Sequence, residues 1–177
     1  MSVMSLTNLG RARLSKSFFM RDFLFSEIAA IHGMSNVPDE PDLAIVAGTR
    51  LCETVLEPLQ DVFGQLAIRS SFRSAEVNEF GSLTQSTTNK TGYTCASNEN
   101  NAGGHIWDLR TQAGAMGATA CIVIPGVYDR LHANPDGWKK IAWWLHDHLP
   151  YSAMGFYPTY WRSTFPAVTS RHGAFSR

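Results

Sequence analysis

Charge of one sign is what this sequence most plainly lacks. Fifteen Lys and Arg balance fifteen Asp and Glu across 177 residues, and only 17% of the chain is charged. A nucleic-acid-binding domain normally carries a basic excess or a basic run, and neither is present. The composition of a disordered chain is missing as well, because 44% of the residues are hydrophobic. A chain of this length and apolar content folds as one domain and buries roughly 70% of its extended-chain surface. No apolar run approaches the ~20 residues of a membrane-spanning helix. Met1 to Leu14 holds two arginines with no apolar block behind them, so no secretory leader is expected. Cysteines are few. Cys52, Cys95 and Cys121 form an odd, scattered set without a Cys-x-x-Cys pair, which argues against a disulfide framework and against a thiolate zinc finger.

Aromatics and histidines, by contrast, are plentiful and unevenly placed. All five Trp and five of the six His follow Gly104, which marks the second half as the place for chemistry. The pattern predicts a short helix over 26–31, stopped by Gly33 and kept short by Pro38 and Pro41. From Asp42 to Phe63 the apolar residues fall on one arc at ~100° per residue, which predicts a long helix, with Pro58 marking a kink. Strand character follows over 66–71, then a short helix over 76–80. The stretch from Gly81 to Gly104 is 24 residues rich in Ser, Thr, Asn and Gly. With so little to bury, it reads as a functional loop or substrate lid. Further strands are expected over 105–109, 118–124 and 154–157, and a helix over 135–149. After Trp161 the alternation stops, so the final 16 residues read as a divergent or frame-shifted tail. Helices grouped ahead of most strands indicate an α+β fold.

Three clusters carry candidate chemistry. Asn101-Ala102-Gly103-Gly104-His105-Ile106-Trp107-Asp108 joins paired glycines to a His and an Asp. The glycines allow a sharp turn or close approach to a ligand, and the two side chains offer nitrogen and oxygen to a borderline metal such as Zn²⁺. On a regular strand, positions three apart face opposite sides, so shared ligation requires His105 at the loop end or a bulge. The bland alternative is a turn and strand with Asp108 paired to Arg110 or Arg73. Ser70-Ser71-Phe72-Arg73-Ser74-Ala75-Glu76-Val77-Asn78 places an arginine at the mouth of a strand, where it can fork onto a carboxylate or carbonyl. Spacing alone favours a surface arginine there. His146 and His148 close the 135–149 helix on opposite flanks of its apolar face, so they cannot share one ion. The helix dipole accounts for histidines in a last turn without any ligand role. His32 and His132 have no sequence partners and read as structural or exposed.

The order of these pieces, from Phe25 to Pro158, resembles the zinc D-Ala-D-Ala carboxypeptidase family of metallopeptidases, in particular its phage and prophage members. Ser70 to Asn78 is the strongest match, and the His–Asp segment and the Trp-rich helix ending in Leu-Pro-Tyr-Ser follow in the family's order. The resemblance implies an α+β fold with a small antiparallel sheet and helices packed on one side. Residues 1–24 would then be an N-terminal extension, 25–161 the peptidase-like domain and 162–177 a divergent tail. It also implies a Zn²⁺ cofactor, with His105 and Asp108 as metal ligands. The third ligand is open among His146, His148 and His172, with His148 preferred as lying nearer a buried face. Arg73 would be catalytic, steadying the substrate carbonyl and its oxyanion. Ser70 and Asn78 would be substrate-binding residues that shape the arginine's loop. The implied substrate is a D-amino-acid-containing peptide of bacterial peptidoglycan, with no nucleic acid and no membrane span among its partners. The implied location is the cytoplasm until lysis, or the virion. Two competing expectations stand beside this one. The chain would be a non-catalytic cell-wall or virion component that keeps the fold, or a globular domain whose His-x-x-Asp is purely structural.

Overall fold

The computed structural model describes the backbone over 3–88, 92–134, 136–158 and 164–172, and side chains over 4–88, 92–128, 133–134 and 136–156. Its architecture is α+β. A four-stranded sheet, wholly antiparallel, has the order β1-β2-β4-β3, with β1 Ala67–Ser70, β2 Met116–Val123, β3 Ala153–Pro158 and β4 Thr164–His172. Eight α-helices accompany the strands among the described residues: α1 Val3–Gly10, α2 Glu27–His32, α3 Pro41–Leu51, α4 Glu57–Phe63, α5 Ala75–Thr88, α6 Asn98–Asn101, α7 Pro125–His132 and α8 Gly137–His148.

The tail expected to lack strand character supplies β4, which lies between β2 and β3. Thr169 is opposite Thr119 on one side and Ala153 on the other. Hydrogen bonding to two neighbours compensates for a segment that does not alternate like a core strand on its own.

The first 24 residues are not an extension either. Leu14, Phe18, Met20 and Phe23 are buried in the same core as Leu51, Val55, Leu59, Trp107 and Ile122. The loop between them is fastened by buried Glu57, which accepts from Ser15 Oγ (2.6 Å), Ser17 N–H (2.7 Å) and Ser17 Oγ (3.0 Å). With its lone pairs engaged this way, the carboxylate is a tolerable buried group.

The long predicted helix is three pieces. α3 passes through a π-helical turn over Cys52–Leu56 into α4, whose second residue is Pro58. Proline has no N–H to donate and crowds the preceding turn, and the wider π geometry absorbs the misfit where a kink was expected. α3 lies against β2, and Gly48 lets the helix approach Trp107 and Leu14 closely. A Cβ at that position would fall 2.7 Å from a ring carbon of Trp107. α2 starts where Ser26 Oγ accepts from the Ala29 N–H and ends at Gly33 in the left-handed region (φ 63°), as the sequence predicts.

Half of the supposed 24-residue loop is helix, in the end of α5 and in α6. α5 runs on to Thr88, because Ser86, Thr87 and Thr88 return their hydroxyls to carbonyls three or four residues back. Such bonding lets a Ser/Thr-rich sequence remain helical at an exposed end.

Candidate functional site

The site is centred on a tight turn, not on the strand expected over 105–109. Asn101 closes α6, and Gly103 follows at φ 63°. Gly103 N–H donates to the carbonyls of Ile106 and Leu109 (3.0 and 2.9 Å), and Gly104 N–H donates to Asn101 O (2.9 Å). The Asn101 side chain accepts from the His105 N–H at 3.0 Å. Neither glycine can be replaced freely. A Cβ on Gly104 would lie 2.7 Å from Asn101 Oδ1, and one on Gly103 would lie 3.2 Å from the Gly117 nitrogen in a left-handed backbone. Ile106 and Trp107, both fully buried, fix this turn to the core, with Trp107 packed at 5.3 Å from Phe23 and 6.1 Å from Phe72.

Held this way, His105 meets the end of β1. Its carbonyl accepts from the Arg73 N–H (2.8 Å), and its ring Nδ1 lies 2.5 Å from Ser71 O. A carbonyl can only accept, so Nδ1 carries the proton and Nε2 keeps its lone pair. Burial and then the Arg73 guanidinium push the imidazole down to about 4, against a smaller opposing effect of the Ser71 carbonyl. A neutral ring with one nitrogen fixed on a backbone carbonyl is the form in which histidine binds a metal or accepts a proton.

Arg73 is 9% exposed, and among the described residues it has no carboxylate partner. Its Nη1 donates to Cys95 Sγ, while Nε is buried without a hydrogen bond. A buried guanidinium normally brings an acid with it, because the desolvated charge is costly alone. Among the described residues no acid supplies that complement. Cys121, opposite Ser70 across a bulge in the β1–β2 ladder, lies within reach of the same charge. Burial raises its thiol and Arg73 lowers it.

The other candidates take different places. Ser70 ends β1, half-buried beside that bulge. Asn78 is fully buried and held by three hydrogen bonds. It donates to Ala96 O (3.0 Å) and Asn98 Oδ1 (2.8 Å) and accepts from Asn101 Nδ2 (2.6 Å). A substrate-binding role is therefore corrected to a scaffolding one, since the amide is fully buried and spends both N–H groups and one oxygen lone pair on the protein.

Asp108 turns to the start of α3, accepting through Oδ2 from the amides of Asp39 (2.7 Å) and Glu40 (3.4 Å). Its other oxygen is buried and unpartnered, and burial raises its carboxyl despite those amides. The alternative pairing with Arg110 or Arg73 is not formed. His148 is not brought to His105. It is exposed, its Nδ1 donates to Trp144 O (2.9 Å), and it stacks on the Trp144 ring at 4.8 Å. The helix end explains that bond, and the assignment as third ligand is corrected because, among the described residues, His148 forms no ligand group with His105 and Asp108. His146 bonds to the Tyr151 hydroxyl at 2.8 Å, and His32 to the Tyr93 hydroxyl at 2.6 Å. The side chains of His132 and His172 lie outside the described residues, although the register puts the backbone of His172 opposite Met116 at the start of β2.

Among the described residues no three His, Cys, Asp or Glu side chains converge on one point. No family model, curated protein or solved structure matches this chain. The site is therefore read from its own chemistry.

That chemistry fits a metal in part. His105 presents the correct tautomer and protonation state, and Asp108 has one orphaned oxygen, while His148 forms no group with them. Sequence reasoning missed Ser71, whose carbonyl sets the His105 tautomer and whose hydroxyl donates to Thr119 O (2.9 Å). Its place inside the Arg73 motif was the available signal. It also missed Cys95, for which a lone cysteine in a polar stretch gave none. No described helix is long and apolar enough to cross a membrane.

Proposed function

We propose that this chain is a zinc-dependent peptidase acting on D-amino-acid-containing peptides of bacterial peptidoglycan. One observation carries the reading. Among the described residues, a buried arginine without an acidic partner adjoins a neutral histidine whose Nε2 has no protein partner. An unpaired guanidinium in a desolvated place is a receptor for a carboxylate or a developing oxyanion. Arg73 would hold and polarise the substrate carbonyl or its terminal carboxylate. His105 would supply the nitrogen ligand, its ring oriented by the Ser71 carbonyl. Asp108 would add an oxygen ligand if its free oxygen faces the ion. Zinc, when bound, would supply Lewis acidity and an acidic bound water.

The test is elemental analysis of the purified full chain after incubation with zinc, wild type beside His105→Ala, with melting curves for both. The expected result is one zinc per chain, lost in the variant, and release of D-alanine or of cross-linked peptides from peptidoglycan. Arg73→Gln should retain zinc and lose at least ~100-fold in turnover, the order of effect of an oxyanion donor. A wild-type chain that takes up no zinc overturns the enzyme reading.

A second reading has its own observation. Asp108 is engaged by the α3 terminus and His148 by its own helix. This favours a non-catalytic cell-wall or virion component that uses the Arg73 pocket to bind a peptide carboxylate. Saturable binding of a D-Ala-D-Ala peptide without zinc and without hydrolysis would identify it.

A further inference from the structure

Arg73 stands in a short link, residues 71–74, between β1 and α5 and outside any helix or strand. Such backbone supports a precisely placed side chain only where something fixes it. Two grips fix this link, on opposite edges. His105 holds the first edge, accepting at its carbonyl from the Arg73 N–H (2.8 Å) and meeting Ser71 O with Nδ1. The second edge belongs to Asn36, in the connection between α2 and α3. Its Nδ2 donates to Phe72 O (3.1 Å), and its Oδ1 accepts from the Ser74 N–H (2.8 Å). The alternation is that of an extended strand, in which successive residues turn their N–H and C=O groups to opposite sides. One side-chain amide thus stands where a neighbouring strand would, bonded to the residues immediately before and after Arg73.

Asn36 is itself held. Its other Nδ2 proton goes to Leu24 O at 2.9 Å, and the carbonyl of Ser35 accepts from Ser74 Oγ (3.3 Å). The partners fix which way its amide points, because two carbonyls can only accept and a backbone N–H can only donate. An asparagine in a connection commonly bonds backbone one or two residues away. This one reaches across 36 and 38 residues of sequence. Arg73 gains little fixing from its own side-chain bonds, since Nη1 meets Cys95 Sγ and Nε is buried without a partner. The direction of the guanidinium therefore depends on the backbone beneath it.

We propose that Asn36 is a positioning residue for Arg73: its amide clamps Phe72 and Ser74 and so aims the guanidinium at the substrate carbonyl or carboxylate. The aim rests on the peptidase reading; the clamp does not.

The test uses the full chain and NMR, with the Arg73 Nε–H resonance identified by its loss in Arg73→Gln. In the wild type this signal should exchange slowly with water, because the nitrogen is buried. In Asn36→Ala its exchange should quicken at least ~tenfold, while the Trp107 indole N–H, likewise buried without a hydrogen bond, exchanges as before. A general loosening of the core would quicken both. Zinc content should be kept, since the His105 edge is untouched. The kcat for a D-Ala-D-Ala peptide should fall ~10–100-fold, the order expected when a group is displaced by about an ångström. If Asn36→Ala does not fold, Asn36→Asp takes its place, as it has the same shape, keeps the acceptor for Ser74 and loses both donors. An Arg73 signal that stays put, or that moves in step with Trp107, overturns the proposal. So do failure of both variants to fold and an active wild type whose kcat the variant matches. A wild-type chain that neither takes up zinc nor cleaves the peptide removes the peptidase reading alone, because the exchange measurement needs no substrate.

Discussion

At the scale of single residues, the neutrality of His105 has a measurable consequence. Its ring is pushed down to about 4 in the fold against an ordinary value of 6.5. The unfolded chain therefore binds more protons between those values, and stability rises with pH across that window. For the metal-free protein we expect stability to be lost as pH falls from about 6.5 towards 4, by at most ~3 kcal/mol from this group. Urea titrations at several pH values check this, and His105→Gln should flatten the slope there. Asn78 gives a second prediction. Asn78→Ala would leave Ala96 O and two asparagine side chains without their partners, at a cost of about 3 kcal/mol. The damage should show as faster amide exchange over 95–101, the segment that carries Cys95 to Arg73. Those partners lie eighteen to twenty-three residues from Asn78. The motif could point to the residue, but only the fold reveals that it faces inward.

The elements show where the sequence could be read and where it could not. α2, with its Ser26 cap and Gly33 stop, follows its signals nearly to the residue, and β2 and α8 lie where periodicity puts them. These are segments whose stability is decided locally or by one buried face. The 105–109 segment misled because Ile106 and Trp107 look like strand residues. They are instead two anchors of a turn whose shape is dictated by Gly103, Gly104 and the Asn101 side chain. α5 outran its expected end because hydroxyl back-bonding is a contextual effect that composition does not reveal. α7, Pro125–His132, was not anticipated. One close helix contact yields a prediction at this scale. Gly48→Ala would press a methyl against Trp107 and Leu14 Cδ1 (2.7 and 3.1 Å). Overpacking of this kind costs about 1–3 kcal/mol, which calorimetry would register as a melting temperature lower by roughly 2–10 °C for a domain of this size. Trp107 underlies the His105 turn, so on the proposed peptidase reading the same variant should also weaken zinc uptake.

For the molecule as a whole, the α+β class was legible, whereas its sheet order was not. Strand order depends on which edges meet, and nothing in the 164–172 segment taken alone announces a strand with neighbours on both sides. β4 nonetheless joins β2 to β3, so removing everything after Pro158 should leave β1–β2 and an isolated β3. A chain cut there should not unfold cooperatively by circular dichroism, and it should bind a dye specific for exposed apolar surface. The position of β4 also bears on synthesis. Of the four strands it is the last to leave the ribosome, and until it does, β2 presents a bare edge beside a core that is otherwise already translated. Such an edge pairs readily with other chains. The interval before β4 docks is thus the period of greatest exposure to aggregation, and slowing translation over the codons for 159–163 should lower the yield of native protein even though no residue has changed.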